Sequence, residues 1–284
     1  TNPFAYIGLA KAAYTEGDYK LAMELAKTGY DVDTYSLAFV QVRSEFLRNN
    51  FTVIAFVCVA VVLLIWILIR FKRKKGTILI KSREMKLFLT ACLHPVQNFM
   101  EIKQNGGLSL KLGFISLAVF YITTAMQTMF GGFAFVSANA SSFNSILLFL
   151  RTVGFVFLWT IVNWAVCTLL GGIGKMKEIF TVVTYALVPM SIGNLIYTVL
   201  TNFFVPAEVG FLSVITIALQ VYAILVIVIG LMVVHDFSFG RFIGTALLTI
   251  FGIAVVIFVG TIIIILVQQL VAFFTTIYNE IIYK

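Results

Sequence analysis

The side chains able to do chemistry are few in this sequence, and their spacing serves no common reaction. His94 and His235 lie far apart and have no supporting ligands at metal-binding spacing, so each is expected to be an interfacial residue. Of the three cysteines, Cys58 and Cys167 fall inside apolar runs and Cys92 falls near an interface. They form neither a disulfide framework nor a metal motif, and Cys92 is expected to be a buried structural thiol rather than a palmitoylation site. No nucleophile–base pair or phosphate-binding loop is present. Asp236 and His235 fall in a short loop before Arg241, and Glu178 opens a helix, where its charge suits the helix dipole. The polar groups deep in apolar runs are Gln127, Asn163, Asn194 and Gln220. Interhelical hydrogen bonding is their expected role, ahead of substrate binding. An ion-coupled carrier would place carboxylates near the membrane midplane, and the apolar runs contain none. The expectation is no catalytic residue, no cofactor and no metal.

Glycine and proline carry sharper signals. Gly171-Gly172-Ile173-Gly174 joins two apolar runs in a tight reversal, where glycine permits positive φ. Pro189 falls inside the following run, with Ser191, Gly193 and Asn194 after it. A proline there bends the helix and frees a backbone carbonyl that neighbouring polar groups can satisfy.

These residues are positioned by elements built for lipid. Sixty-one per cent of the 284 residues are apolar and 11% are charged, with mean hydropathy +1.04. A soluble domain carries about 25% charged residues, so this surface needs a bilayer to face. Six apolar runs are long enough to cross one: Phe51 to Ile69, Leu112 to Phe135, Ile146 to Leu170, Ile179 to Phe204, Phe211 to Val234 and Phe242 to Phe274. The last exceeds a bilayer's thickness and is expected to tilt or to extend beyond it. Ser82 to Gln104 is mixed, with Met85, Phe88, Leu89, Cys92, Val96, Phe99, Met100 and Ile102 on an apolar face and Pro95 within it. This pattern predicts an amphipathic segment in the interface. Gly76 to Ile80 reads as a short apolar connector, with a β-like piece on the surface as the expectation.

Of 20 Lys and Arg, nine lie between Arg70 and Lys103. Arg70, Lys72, Arg73, Lys74 and Lys75 close the first span and are expected to set topology and touch anionic lipid. No folded basic module accompanies them, which argues against nucleic acid as a partner. Lys175, Lys177 and Arg241 fall on the same side, whereas Ser137 to Ser145 and Val205 to Gly210 lack basic residues. The basic side is expected to be cytoplasmic, with both termini outside it; Arg151 is the misfit and is expected to snorkel outward.

Residues 1 to 49 are the one water-compatible stretch, with five basic and six acidic residues. Tyr6, Leu9, Ala10 and Ala13 recur at helical spacing, Gly17-Asp18-Tyr19 turns the chain, and Leu21, Ala22, Leu25 and Ala26 form a second stripe. This stretch resembles one tetratricopeptide repeat, with Gly29 where that family has Ala and without its closing Pro. One repeat cannot bury its apolar face alone. Tyr6, Leu9, Tyr19 and Leu25 are therefore expected to meet earlier repeats or an extracytoplasmic protein. The chain opens on Thr1 rather than Met, so upstream sequence is expected.

A second resemblance covers residues 90 to 280. His94-Pro95 is followed by Phe99, Ile102 and Gly106-Gly107; Asn163-Trp164 is followed by Gly171, Gly172, Gly174, Tyr185 and Pro189. Together these resemble the Yip-domain family of Rab- and Ypt-interacting membrane proteins, in the layout of its bacterial relatives. The resemblance implies a five-span domain and marks Pro95, Asn163, Trp164, Gly171, Gly172, Gly174 and Pro189 as structural motif positions.

The expected fold is all-α and polytopic: one anchor span plus a five-helix Yip-like bundle, preceded by a tetratricopeptide-like hairpin. The expected segments are 1–49 outside the cytoplasm, 50–71 the first span, 72–106 a cytoplasmic basic hinge with an interfacial helix, and 107–284 the membrane domain. The expected function is that of a non-enzymatic scaffold or accessory subunit in a bacterial plasma membrane. Its expected partners are other integral membrane proteins, with an ABC-type permease as the candidate, plus an extracytoplasmic protein and anionic lipids. A transporter or channel is the first competing expectation. A vesicle-traffic factor that binds small GTPases in Golgi or ER membranes is the second.

Overall fold

The computed structural model describes residues 2–75, 83–105, 109–136 and 143–282. The connector expected at Gly76 to Ile80, Gly106-Gly107 of the motif and most of the Ser137 to Ser145 loop lie outside the described residues. The described residues are helical, with no strand among them. Six helical segments are long and apolar enough to cross a membrane, beginning at Val32, Leu110, Ser145, Met176, Gly210 and Phe239. The chain is therefore a multi-pass integral membrane protein of helical fold.

It divides into two compact units. One comprises Thr1–Lys86, Ala118–Leu148 and Val188–Ala223; the other comprises Leu87–Leu117, Phe149–Leu187 and Ile224–Lys284.

In the first unit, α1 (Pro3–Glu16) starts with Pro3 in its first turn and with the Asn2 side chain accepting from Phe4 N–H. Gly17, at φ +86°, ends α1 in the left-handed conformation that glycine adopts without strain. Asp18 then caps α2 (Tyr19–Gly29), its carboxylate accepting from Leu21 N–H at 3.0 Å. Ala13, Ala22 and Ala38 form the buried core, with Tyr14, Tyr19, Met23 and Leu25 packed around it. Gly29 allows α2 to approach α1 closely, because a Cβ there would lie 3.1 Å from Ile7 N. Ala38 belongs to α3 (Val32–Lys75), a single 44-residue helix. At ~1.5 Å per residue it is about 66 Å long, twice the depth of a ~30 Å bilayer core. It therefore runs unbroken through the boundary expected near residue 50, and the water-compatible head and the first span share one helix.

The second unit takes in most of α4 (Arg83–Ala91) and all of α5 (Pro95–Asn105). The chain between these helices shifts the phase of the amphipathic pattern. Cys92, Phe99 and Ile102 are buried as the expected face requires, but Met85, Leu89, Val96 and Met100 are exposed and Leu87 is buried instead. Each short helix thus has its own inner face. α6 (Leu110–Phe130) follows. α7 (Ser145–Phe149) and α8 (Phe155–Leu169) are joined by a π-helical turn, Leu150–Gly154, that carries the exposed Arg151. α9 (Met176–Ala186) and α10 (Val188–Leu200) form one apolar segment broken at Leu187, just before Pro189. Pro189 has no N–H to donate to the Tyr185 carbonyl four residues back; that carbonyl accepts from a backbone N–H at the end of α9 and from the Cys92 thiol at 3.4 Å. α11 (Gly210–His235) and α12 (Phe239–Ile282) complete the chain. Every described residue of α12 from Thr261 onward is exposed, a surface that lipid or protein must cover.

Candidate functional site

The best-built local geometry lies where the glycine loop meets the turn between α11 and α12. Gly171 has φ +76°, which turns the chain after α8. A Cβ on Gly172 would sit 2.6 Å from His235 Nδ1 and 2.9 Å from the Phe237 ring. One on Gly174 would sit 2.6 Å from Val234 and 2.9 Å from His235 Nδ1. Both glycines are therefore required by close approach, not by turn geometry alone. Gly174 N–H donates to His235 Nδ1 at 3.3 Å, which places the proton of the neutral ring on Nε2. The imidazole stacks on Phe237, with centroids 5.2 Å apart.

His235 was expected in a cytoplasmic loop; it is the last residue of α11 and is 2% exposed. The apolar run continues to its Cα, and the chain turns only at Asp236, at φ +60°. Arg241 closes the arrangement by donating to the Leu170 carbonyl at the end of α8 and lying 4.7 Å over the Phe237 ring. Lys103 Nζ donates to the Val233 carbonyl at 2.9 Å, satisfying the last turn of α11. The sequence marked Arg241 as a topology residue and Lys103 as the end of the basic stretch. Lys103 lies in the last turn of α5 and Arg241 in the first turn of α12, so neither position announces a contact with the end of another helix.

Asn163 is 1% exposed and donates from Nδ2 to Thr249 at 3.1 Å, which fits its expected interhelical role. Trp164 is exposed, and Pro95 begins α5. Of the basic stretch, Arg70 stacks over Trp66 at 5.0 Å. Lys72, Arg73, Lys74 and Lys75 lie in the last turns of α3, and their side chains fall outside the described residues.

On the head, the residues expected to meet a partner separate into two groups. Tyr19 and Leu25 pack on the Ala13–Ala22–Ala38 core, so α3 supplies part of the cover assigned to another protein. Tyr6 is half-buried, and Leu9 is exposed. The described residues hold no group of three or more His, Cys, Asp or Glu side chains able to share a metal ion.

Stacked apolar helices and a glycine reversal locked by a buried histidine define a polytopic membrane protein whose tightest site is architectural. The family model of the Yip1 domain matches residues 89–262. The chain belongs to the Yip1-domain family. That match begins beside the His94-Pro95 motif and ends within α12, and so takes in the glycine loop, Pro189 and His235. No curated protein matches the chain, and no solved structure does.

Proposed function

We propose that this chain is a non-enzymatic integral membrane scaffold or accessory subunit. On this reading it lies in a bacterial plasma membrane with both termini outside the cytoplasm, where it assembles with another membrane protein such as an ABC-type permease. The basic end of α3, with Arg70, Lys72, Arg73, Lys74 and Lys75, contacts anionic lipid. The α1–α2 pair acts as a tetratricopeptide-like element. Its alanine-lined inner face and glycine-led turn support this reading.

One observation carries the proposal. The head is water-compatible in sequence, yet it leaves Phe4 81% exposed, with Leu9, Leu21 and Leu37 exposed as well. Large apolar side chains on a small polar head are the signature of a protein contact.

The test is purification of the full chain in gentle detergent, with mass spectrometry of what co-purifies. Phe4→Glu/Leu9→Glu is compared with wild type at equal expression. Both positions are exposed, so the variant should insert and fold normally. Loss of a membrane or extracytoplasmic protein from the variant supports the scaffold. Identical recovery from both chains removes the head from the reading. Recovery of a small GTPase favours the vesicle-traffic alternative.

A further inference from the structure

Three amides that lie within apolar runs converge. Gln127 of α6, Asn194 of α10 and Gln220 of α11 line a single cleft of about 360 Å³ within the first unit. Ser213 and Thr216 join them, on the same face of α11 as Gln220 at spacings of three and seven residues. Gln220 follows Gly210 by ten residues, about 15 Å along the axis, so the cleft extends well into the apolar span. Its volume falls within the ~300–1,000 Å³ of small-molecule sites.

The hydrogen bonding of the lining is half finished. Asn194 Nδ2 donates to Thr124 at 3.1 Å, and the Thr216 hydroxyl donates to the carbonyls of Leu212 and Ser213. The side chains of Gln127, Ser213 and Gln220 make no hydrogen bond among the described residues. A polar group as deep in a span as Gln220 is costly unless something pairs with it. Close packing of α10 on α11 at Gly193, where a Cβ would meet Leu219 at 2.8 Å, holds the walls in place without filling the space.

We infer that this cleft binds the uncharged, hydrogen-bonding head of a membrane-borne amphiphile, of the diacylglycerol type. The lining chooses the chemistry. Carboxamides and a hydroxyl both donate and accept, matching a hydroxyl or amide head. Among the described residues no Lys, Arg, Asp or Glu lines the cleft, so a charged head would lose its hydration without a counter-ion. The walls belong to spanning helices, so acyl chains can lie in the bilayer while the head enters. A convex partner helix would present only a side chain to a concavity of this size.

The test uses the full chain in detergent, titrated with 1,2-dioctanoylglycerol and read by native mass spectrometry. Dioctanoyl-phosphatidylglycerol and free glycerol are the comparison arms. Wild type should retain one dioctanoylglycerol saturably, with the charged lipid at least tenfold weaker. Gln127→Leu/Gln220→Leu should weaken retention at least tenfold without lowering the unfolding temperature, because those amides make no side-chain hydrogen bond among the described residues. Gln220→Ala, at an exposed position, gives the same readout with minimal risk to folding.

Equal retention by wild type and both variants would show annular lipid only and overturn the inference. So would no retention by wild type, or a lowered unfolding temperature in both variants. Glycerol binding as tightly as dioctanoylglycerol would overturn delivery from the membrane. Loss of a co-purifying membrane protein from the variants, without loss of lipid, would make the cleft a helix-docking site and overturn the lipid reading.

Discussion

Arg43 holds Glu208 through two hydrogen bonds, Nη1 to Oε2 at 2.7 Å and Nη2 to Oε1 at 2.5 Å. The same guanidinium donates to the Phe203 carbonyl at 2.7 Å and lies over the Phe39 ring. Glu208 in turn accepts from Val205 N–H at 3.2 Å. One side chain of α3 thereby fixes the short 3-10 turn Pro206–Glu208 that precedes α11.

This pair should make stability pH-dependent in one direction. The hydrogen bonds from Arg43 hold the Glu208 carboxyl below its ordinary range. A depressed folded value stabilises the protein at pH above the unfolded carboxylate value. The contribution is lost as pH falls through the folded value. Glu208→Gln should therefore flatten the acid limb of unfolding temperature against pH. Because both side chains are partly exposed, the loss near neutrality should be only about 0.2–1 kcal/mol. An unchanged acid limb in the variant would remove the pair from this role.

The glycine loop predicts a clash that can be rescued. Gly172→Ala places a methyl against His235 and Phe237, an overpacking cost of about 1–3 kcal/mol. His235→Ala leaves the Gly174 N–H without its acceptor, costing about 1–3 kcal/mol. The double variant should lose less than the sum, because removing the imidazole makes room for the methyl. The check is a thermal-unfolding cycle of four proteins in detergent; strict additivity would mean the two sites are not coupled.

Cys92 should be inert. It is 8% exposed, its thiol donates to the Tyr185 carbonyl, and burial pushes its pKa up to about 11. At pH 8 the thiolate fraction is then on the order of one in a thousand. In a Cys58→Ser/Cys167→Ser background, maleimide should label the native protein slowly and the detergent-denatured protein at once. Fast labelling of the native state would place Cys92 at the surface and reopen the question of acylation.

Topology can be read from two exposed positions, Ala207 and Lys177. The basic loops predict that Ala207→Cys reacts with an impermeant thiol reagent on intact cells and that Lys177→Cys does not. Both variants belong in the Cys58→Ser background. The opposite pattern would invert the proposed orientation.

The amino-acid sequence by itself determined the solvent, the helical class and the six spans. Each is a property of a contiguous run, and run length against bilayer thickness needs no tertiary information. It also marked Gly171, Gly172, Gly174 and Pro189, because glycine and proline constrain the backbone wherever they stand. Tertiary structure alone decided what those residues meet. Nothing local to Gly172 or Gly174 names His235, and nothing local to Pro189 names Cys92 as a donor to the Tyr185 carbonyl. The Arg43–Glu208 pair joins residues far apart in the chain, so no periodicity announces it. Gln127, Asn194 and Gln220 were each legible as deep polar groups with interhelical bonds expected. Asn163 fits that expectation with Thr249, and Asn194 does with Thr124. Gln127 and Gln220 instead face a shared cleft, because the azimuth of each helix is set by packing against its neighbours and not by its own hydropathy.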